Sequence, residues 1–105
     1  VACMAGAMTV KETLACMEAG VDVVKIFPGE LFGPAIIKAI HGPLPQAKLM
    51  PTGGVSVENA AEWIRAGAMA LGAGSSLVGG ALRGDYGDIT AKALALVEAV
   101  ARARK

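Results

Sequence analysis

Gly or Pro stands at the joints between apolar, β-branched runs and helix-patterned runs, and the two kinds of run alternate along the chain. Alternation of this kind gives parallel strands joined by right-handed crossovers, because a parallel pair cannot be closed by a tight turn. Val1 to Met4 is a short apolar run of ambiguous type. Thr9 to Gly20 reads as a helix, since Thr9 with Glu12 three residues on makes a capping box and Gly20 suits the left-handed position past its end. Val21 to Phe27 (VDVVKIF) reads as a buried strand ended by Pro28. Pro34 to Ile40 reads as a helix with Pro in its first turn and Gly42 past its end; Pro43 and Pro45 forbid continuation. Lys48 to Met50 is a very short third strand. Ser56 to Ala66 is a helix with Ser56 as N-cap and Gly67 after it. Ala68 to Leu71 is a fourth strand of small residues. Asp88 or Thr90 caps a last helix through about Arg102, with Arg102, Arg104 and Lys105 at the favourable end of its dipole. EAGVDVVK (Glu18 to Lys25) resembles RAGAMALG (Arg65 to Gly72), a faint repeat of helix end, glycine and strand.

Four βα units are expected in these 105 residues. A closed eight-stranded (β/α) barrel needs about 250 residues, with 200 near its lower end. Two architectures therefore compete: a small open α/β sheet, or the second half of a barrel. Four parallel strands alone leave open edges and an uncovered face. The sequence starts at Val1 inside a strand-like run, so a fragment of a longer chain is expected, forming one unit over residues 1–105.

Composition narrows the function classes. The chain is 54% hydrophobic and 18% charged, against roughly a quarter charged in ordinary domains, which excludes disorder. Ten basic against nine acidic residues give a net charge of +1, so a polybasic nucleic-acid protein is not the default. No apolar run approaches a membrane span, and no signal peptide opens the sequence. Cys3 and Cys16 make no disulfide framework and favour a reducing compartment; a cytoplasmic location is expected. Neither has a His or Cys at ligand spacing, so no metal site is expected.

Among six lysines, Lys25 alone sits inside a strand, in VVKIF. Alternation puts Val23, Lys25 and Phe27 on one face. Desolvation disfavours an ammonium and leaves a neutral amine that attacks carbonyls. The other reading is a lysine reaching from a strand end to solvent. PTGGV (Pro51 to Val55) follows a strand and precedes a helix, and its adjacent glycines let backbone N–H groups approach an anion; it also suits a plain tight turn. GAGSS (Gly72 to Ser76) offers amides and two hydroxyls to the same anion but lacks the third glycine of a dinucleotide fingerprint. Loops after consecutive parallel strands converge at one end of the sheet, where barrels carry a recurrent phosphate site. His41 reads as a helix C-terminal dipole partner. Ala60, Trp63 and Ile64 read as core.

VVKIFPGE (Val23 to Glu30), GPAIIKAIHGPLPQ (Gly33 to Gln46), LMPTGGVSVENAAEWI (Leu49 to Ile64) and GAGSSLV (Gly72 to Val78) together resemble the C-terminal half of the 2-keto-3-deoxy-6-phosphogluconate / 4-hydroxy-2-oxoglutarate aldolase family. GDYGDITAKA (Gly84 to Ala93) is similar to that family's final helix. The resemblance implies a (β/α)8 TIM-barrel type fold, of which this chain supplies about four βα units. It implies a class I aldolase that uses no metal or cofactor, takes a small keto-acid or phosphosugar-acid substrate and works as a homotrimer. Lys25 matches the Schiff-base lysine, Phe27 the aromatic on the pyruvyl group, and Thr52 the threonine on its carboxylate. Gly53, Gly54, Gly74 and Ser75 match the phosphate-binding positions, while Pro28 and Glu30 shape the strand end. The family's acid/base glutamate and a substrate-binding arginine lie on the barrel's first strands, to which no part of this sequence corresponds. AGAMT (Ala5 to Thr9) stands in the first loop where the family often has PGxxT, and Ala73 replaces a glycine of the last phosphate loop. Three other readings stand beside it: a non-catalytic phosphate-binding half barrel, a phosphosugar isomerase or thiamine-phosphate-type synthase, and an interaction module without a ligand.

Overall fold

The computed structural model describes residues 1–105. In chain order it runs β1 (Met4–Ala7), α1 (Val10–Glu18), β2 (Val23–Ile26), a 3-10 turn (Gly29–Leu31), α2 (Ala35–His41), β3 (Leu49–Pro51) and α3 (Ala60–Ala66). The short α4 (Ser75–Val78), a second 3-10 turn (Gly79–Arg83) and α5 (Tyr86–Ala103) complete it. The strands form one parallel sheet in the order β1-β2-β3, with Gly6 opposite Lys25 and Lys25 opposite Met50. This is an α/β fold with the strand–helix alternation of the sequence.

The register follows from burial. Ala7, Val24, Ile26, Leu49 and Pro51 share the sheet face that packs under the helices, against Ile37, Ile40, Leu44 and Trp63. Val24 is 1% and Ile26 0% exposed. Each such aliphatic side chain is worth about 1.5–3 kcal/mol when buried, as an upper estimate. A one-residue slip would put Lys25 there instead, so the period of two leaves one register. The opposite face, carrying Met4, Gly6, Lys25, Phe27, Met50 and Thr52, has no helix over it; Met4 is 54% and Phe27 51% exposed.

Helix α1 starts as its capping box dictates. The Thr9 hydroxyl accepts from the Glu12 N–H at 3.1 Å, and the Glu12 carboxylate accepts from the Met8 N–H at 3.2 Å. Gly20, at φ 84°, turns the chain out of it. Gly67, at φ 114°, does the same after α3. Ala60, Trp63 and Ile64 are buried as expected. His41 lies in the last turn of α2, and its Nε2 sits 2.8 Å from the Ala47 carbonyl, tying the α2–β3 loop back to the helix.

Several boundaries depart from the sequence reading, α2 by one residue, to Ala35–His41 from the expected Pro34 to Ile40. The first strand is Met4–Ala7 and not Val1 to Met4, so Ala5 to Ala7 belong to the sheet and not to a loop. Strand β2 is trimmed to Val23–Ile26, and β3 is displaced by one residue to Leu49–Pro51. Helix α3 begins at Ala60, because the Asn59 side chain accepts from the Ser56 N–H at 2.9 Å and donates to the Gly54 carbonyl at 2.7 Å, building a turn where Ser56 was expected to cap. Asp85, and neither Asp88 nor Thr90, caps α5, accepting from the Asp88 N–H at 3.1 Å. The fourth strand, Ala68 to Leu71, does not form; a single parallel bridge, Thr52 to Gly72, is all that remains. Its cause is a mismatch in count. Met69 N–H donates to the Leu49 carbonyl and Gly72 N–H to the Pro51 carbonyl. Three residues on one strand thus span two on the other, and such an extra residue interrupts a ladder. No helix of the chain is long and apolar enough to cross a membrane.

Candidate active site

The C-terminal ends of the strands meet at Thr52. Its N–H donates to the Ile26 carbonyl at 2.9 Å, its carbonyl accepts from the Gly29 N–H at 2.8 Å, and its backbone bridges to Gly72. Three loops are thereby pinned together. Ser76 adds a fourth tie, its hydroxyl donating to the Val55 carbonyl at 2.5 Å. The contacts are tight enough to demand glycine. A Cβ on Gly29 would lie 2.7 Å from the Gly53 carbonyl oxygen, and one on Gly72 would lie 2.2 Å from Thr52 Oγ1. Gly53 and Gly54 take φ of 94° and 71°, where a side chain is strained.

Between these loops lies a cleft of about 290 Å³ lined by Phe27, Glu30, Thr52, Gly53, Gly54, Val55, Gly74, Ser75 and Ser76. Six of the seven residues expected in the site line it. The seventh, Lys25, does not. It is half-buried one step down the same sheet face, and its ammonium lies 5.3 Å from the centre of the Phe27 ring. Phe27 thus joins the two, presenting a ring to the amine and lining the cleft; a cation over such a face is attracted by the ring quadrupole. Lys25 is not enclosed on its open side, since no helix covers that face of the sheet.

The cleft is built of hydrogen-bond donors. The backbone N–H groups of Gly53, Gly54 and Val55 on one loop, and of Ala73 to Ser76 on the other, donate to no protein acceptor. Thr52 Oγ1 is buried and has no partner. Unpaired donors grouped around one space suit an anion, and for the buried Thr52 hydroxyl the missing acceptor costs about 1–3 kcal/mol. Glu30 is the single charged residue among those lining it. Glu30, read from the sequence as shaping the strand end, also lines the cleft, as do Val55 and Ser76, which belong to PTGGV and GAGSS but were not among the positions matched to the site. Of the two hydroxyls GAGSS offers, that of Ser76 is committed to the Val55 carbonyl. Nearby, a hydrogen bond from its own backbone and another from the Ser56 hydroxyl hold the Glu58 carboxyl below the ordinary carboxylate range, with a smaller pull from Lys92. No group of three or more His, Cys, Asp or Glu side chains assembles that could hold a metal ion.

Known proteins resemble the chain in sequence and in fold. The family model described as "Aldolase: KDPG and KHG aldolase" matches residues 1–92. The chain is 44% identical over 73 residues to a 2-dehydro-3-deoxy-6-phosphogalactonate aldolase of Escherichia coli (strain K12), covering 69% of this chain and 36% of that relative. A solved structure described as "Native KDPGal structure" superposes with a TM-score of 0.83 at 37% identity, covering 93% of this chain and 47% of that one. A thiamine phosphate pyrophosphorylase from Pyrococcus furiosus superposes with a TM-score of 0.74 at 19% identity, covering 93% of this chain and 48% of that one, which is a likeness of fold alone. The chain spans less than half the length of each of these proteins. By the family match over nearly all of its length, it belongs to the KDPG and KHG aldolase family.

Proposed function

We propose that the chain is the C-terminal half of a (β/α)8 barrel and carries the lysine and anion-binding parts of a class I aldolase site. The substrate is a 2-keto-3-deoxy sugar acid, phosphorylated at its far end, or the smaller 4-hydroxy-2-oxoglutarate. The observation that carries this reading is the gathering of Phe27, Thr52 and the two glycine loops around one donor-lined cleft beside Lys25. The Glu30 carboxylate beside the glycine loops does not argue against a phosphate, because seven free amides outnumber one exposed carboxylate.

The Lys25 amine, in its neutral form, attacks the C2 carbonyl of the keto acid. The carbinolamine loses water and leaves an iminium. The C3–C4 bond then breaks, its electron pair moving into the iminium to give a pyruvyl enamine. The C4 hydroxyl loses its proton as that carbon becomes an aldehyde, and the enamine takes up a proton at C3 before hydrolysis frees pyruvate. Phe27 packs against the pyruvyl group, and Thr52 Oγ1, buried and unpaired, donates to its carboxylate. Gly53, Gly54, Gly74 and Ser75 hold the distal phosphate, so that remote binding energy orients the keto end toward Lys25. Proton transfers of this kind contribute about 10²–10⁴-fold. The group that makes them is assigned to the preceding half of the barrel, which also covers the open face above Lys25. A homotrimer is the proposed assembly.

The test is borohydride reduction in the presence of pyruvate, followed by intact-mass and peptide analysis of the full polypeptide that carries this sequence. One pyruvyl adduct on Lys25, lost in Lys25→Met, is expected. No adduct, or an adduct that persists in Lys25→Met, refutes the assignment.

A further inference from the structure

We propose that Glu30 is a specificity-determining residue of the cleft, its carboxylate accepting a hydrogen bond from a substrate hydroxyl. Hydroxylated phosphate esters are thereby taken in preference to bare ones. The proposal rests on the anion-binding reading of the cleft given above.

The geometry leaves Glu30 no other evident task. Its backbone abuts Gly54, and its side chain runs across Gly53, where an added Cβ would lie 2.2 Å from Oε2. The carboxylate has no hydrogen-bond donor and no cation within 4.0 Å; the ion pairs of the chain are Arg83–Asp88 and Lys92–Asp88. The other polar side chains that line the cleft are hydroxyls, and the amides of its two glycine loops have no protein acceptor. An acceptor set among donors beside an anion site is unfavourable for a bare phosphate, because the like charges repel. It is favourable for a ligand that brings its own hydroxyl within reach, since a hydrogen bond to a charged group contributes more than a neutral one. Glu30 lines the same cleft as Phe27 and the Gly74–Ser75 loop and lies directly against Gly53 and Gly54, within one ligand's reach of both ends of the proposed site. A cleft that hydrogen-bonds a hydroxyl discriminates against an analogue lacking it more strongly than an apolar wall does.

The experiment compares three probes on the full polypeptide at low salt: inorganic phosphate, n-propyl phosphate and glycerol 3-phosphate. Titration calorimetry on wild type, Glu30→Ala and Glu30→Gln reads their affinities. Wild type is expected to bind glycerol 3-phosphate roughly tenfold tighter than propyl phosphate. Glu30→Ala is expected to bind the two esters equally, and inorganic phosphate roughly three- to tenfold tighter than wild type does. Glu30→Gln keeps the reach of the side chain without the charge, and carries the phosphate comparison if the alanine variant does not fold. A wild type without the ester preference, or a Glu30→Ala that keeps it, overturns the assignment. Failure to trap pyruvate on Lys25 would instead refute the Schiff-base reading, leaving the ester preference to stand or fall on its own measurement.

Discussion

Thr52→Val separates stability from function at one atom. Thr52 Oγ1 is buried without a hydrogen-bond partner, and it stands over Gly72, where any Cβ would be 2.2 Å away. An unpaired buried hydroxyl costs about 1–3 kcal/mol. Valine keeps the branched shape and its strand preference but removes the polar atom, and Gly72 leaves room for the exchanged methyl. The small added volume offsets part of the gain, so the folded state is expected to be more stable by about 1 kcal/mol. Urea unfolding at constant m is the assay, with the midpoint rising in the valine variant. The same titration is repeated with pyruvate. A ligand at a hundredfold excess over its dissociation constant stabilises by about 2.7 kcal/mol, and wild type should show such a shift while Thr52→Val shows much less. If the valine variant is less stable than wild type, or if pyruvate protects both equally, then Thr52 is not a hydroxyl held ready for a ligand.

Three further outcomes are expected. Gly72→Ala forces its new methyl against Thr52 Oγ1, Cβ and Cγ2 and should cost about 1–3 kcal/mol by urea unfolding; in combination with Thr52→Ala the loss should be less than additive. Thr9→Ala removes the acceptor for the Glu12 N–H and should cost about 1 kcal/mol, with the change confined to the melting midpoint and not the slope of urea unfolding. Glu58 has a folded pKa below its ordinary value of 4.5, so the folded state binds fewer protons than the unfolded one in that range. Its contribution is complete above 4.5 and fades as pH falls through the lower folded value. Glu58→Gln should therefore flatten the acid limb of a stability-against-pH curve by lowering stability at neutral pH while leaving the acid end, where the wild-type carboxyl is protonated as well, unchanged.

Helix α1 was legible from Thr9, Glu12 and Gly20, because a cap is a local device whose donor and acceptor lie within one turn. The gathering of Phe27, Thr52 and the glycine loops was legible for a different reason: strands that run parallel deliver the residues after them to one end. What sequence spacing could not show was decided by contacts across the chain. The sequence offered Asp88 or Thr90 as the cap of α5, and the cap falls instead to Asp85, where Gly84, at φ 69°, turns the backbone immediately before it. Ser56 has a capping residue's chemistry, yet the Asn59 side chain reaches it first and holds a turn there. The fourth strand failed on register, through one residue too many between Met69 and Gly72, and no composition of small residues reports that. Glu30 lay within the recognised FPGE segment, but its relation to Gly53 exists only once β2 and β3 are adjacent.

The bond from the Ser76 hydroxyl to the Val55 carbonyl clasps the two amide-bearing loops across a separation of 21 residues. Their spacing is therefore established before any guest arrives, and the entropy of arranging the cradle is lost during folding instead of at encounter. Cutting that clasp should leave every amide in place chemically and yet slow or weaken capture, since each visit would have to find the two loops at the right distance by chance.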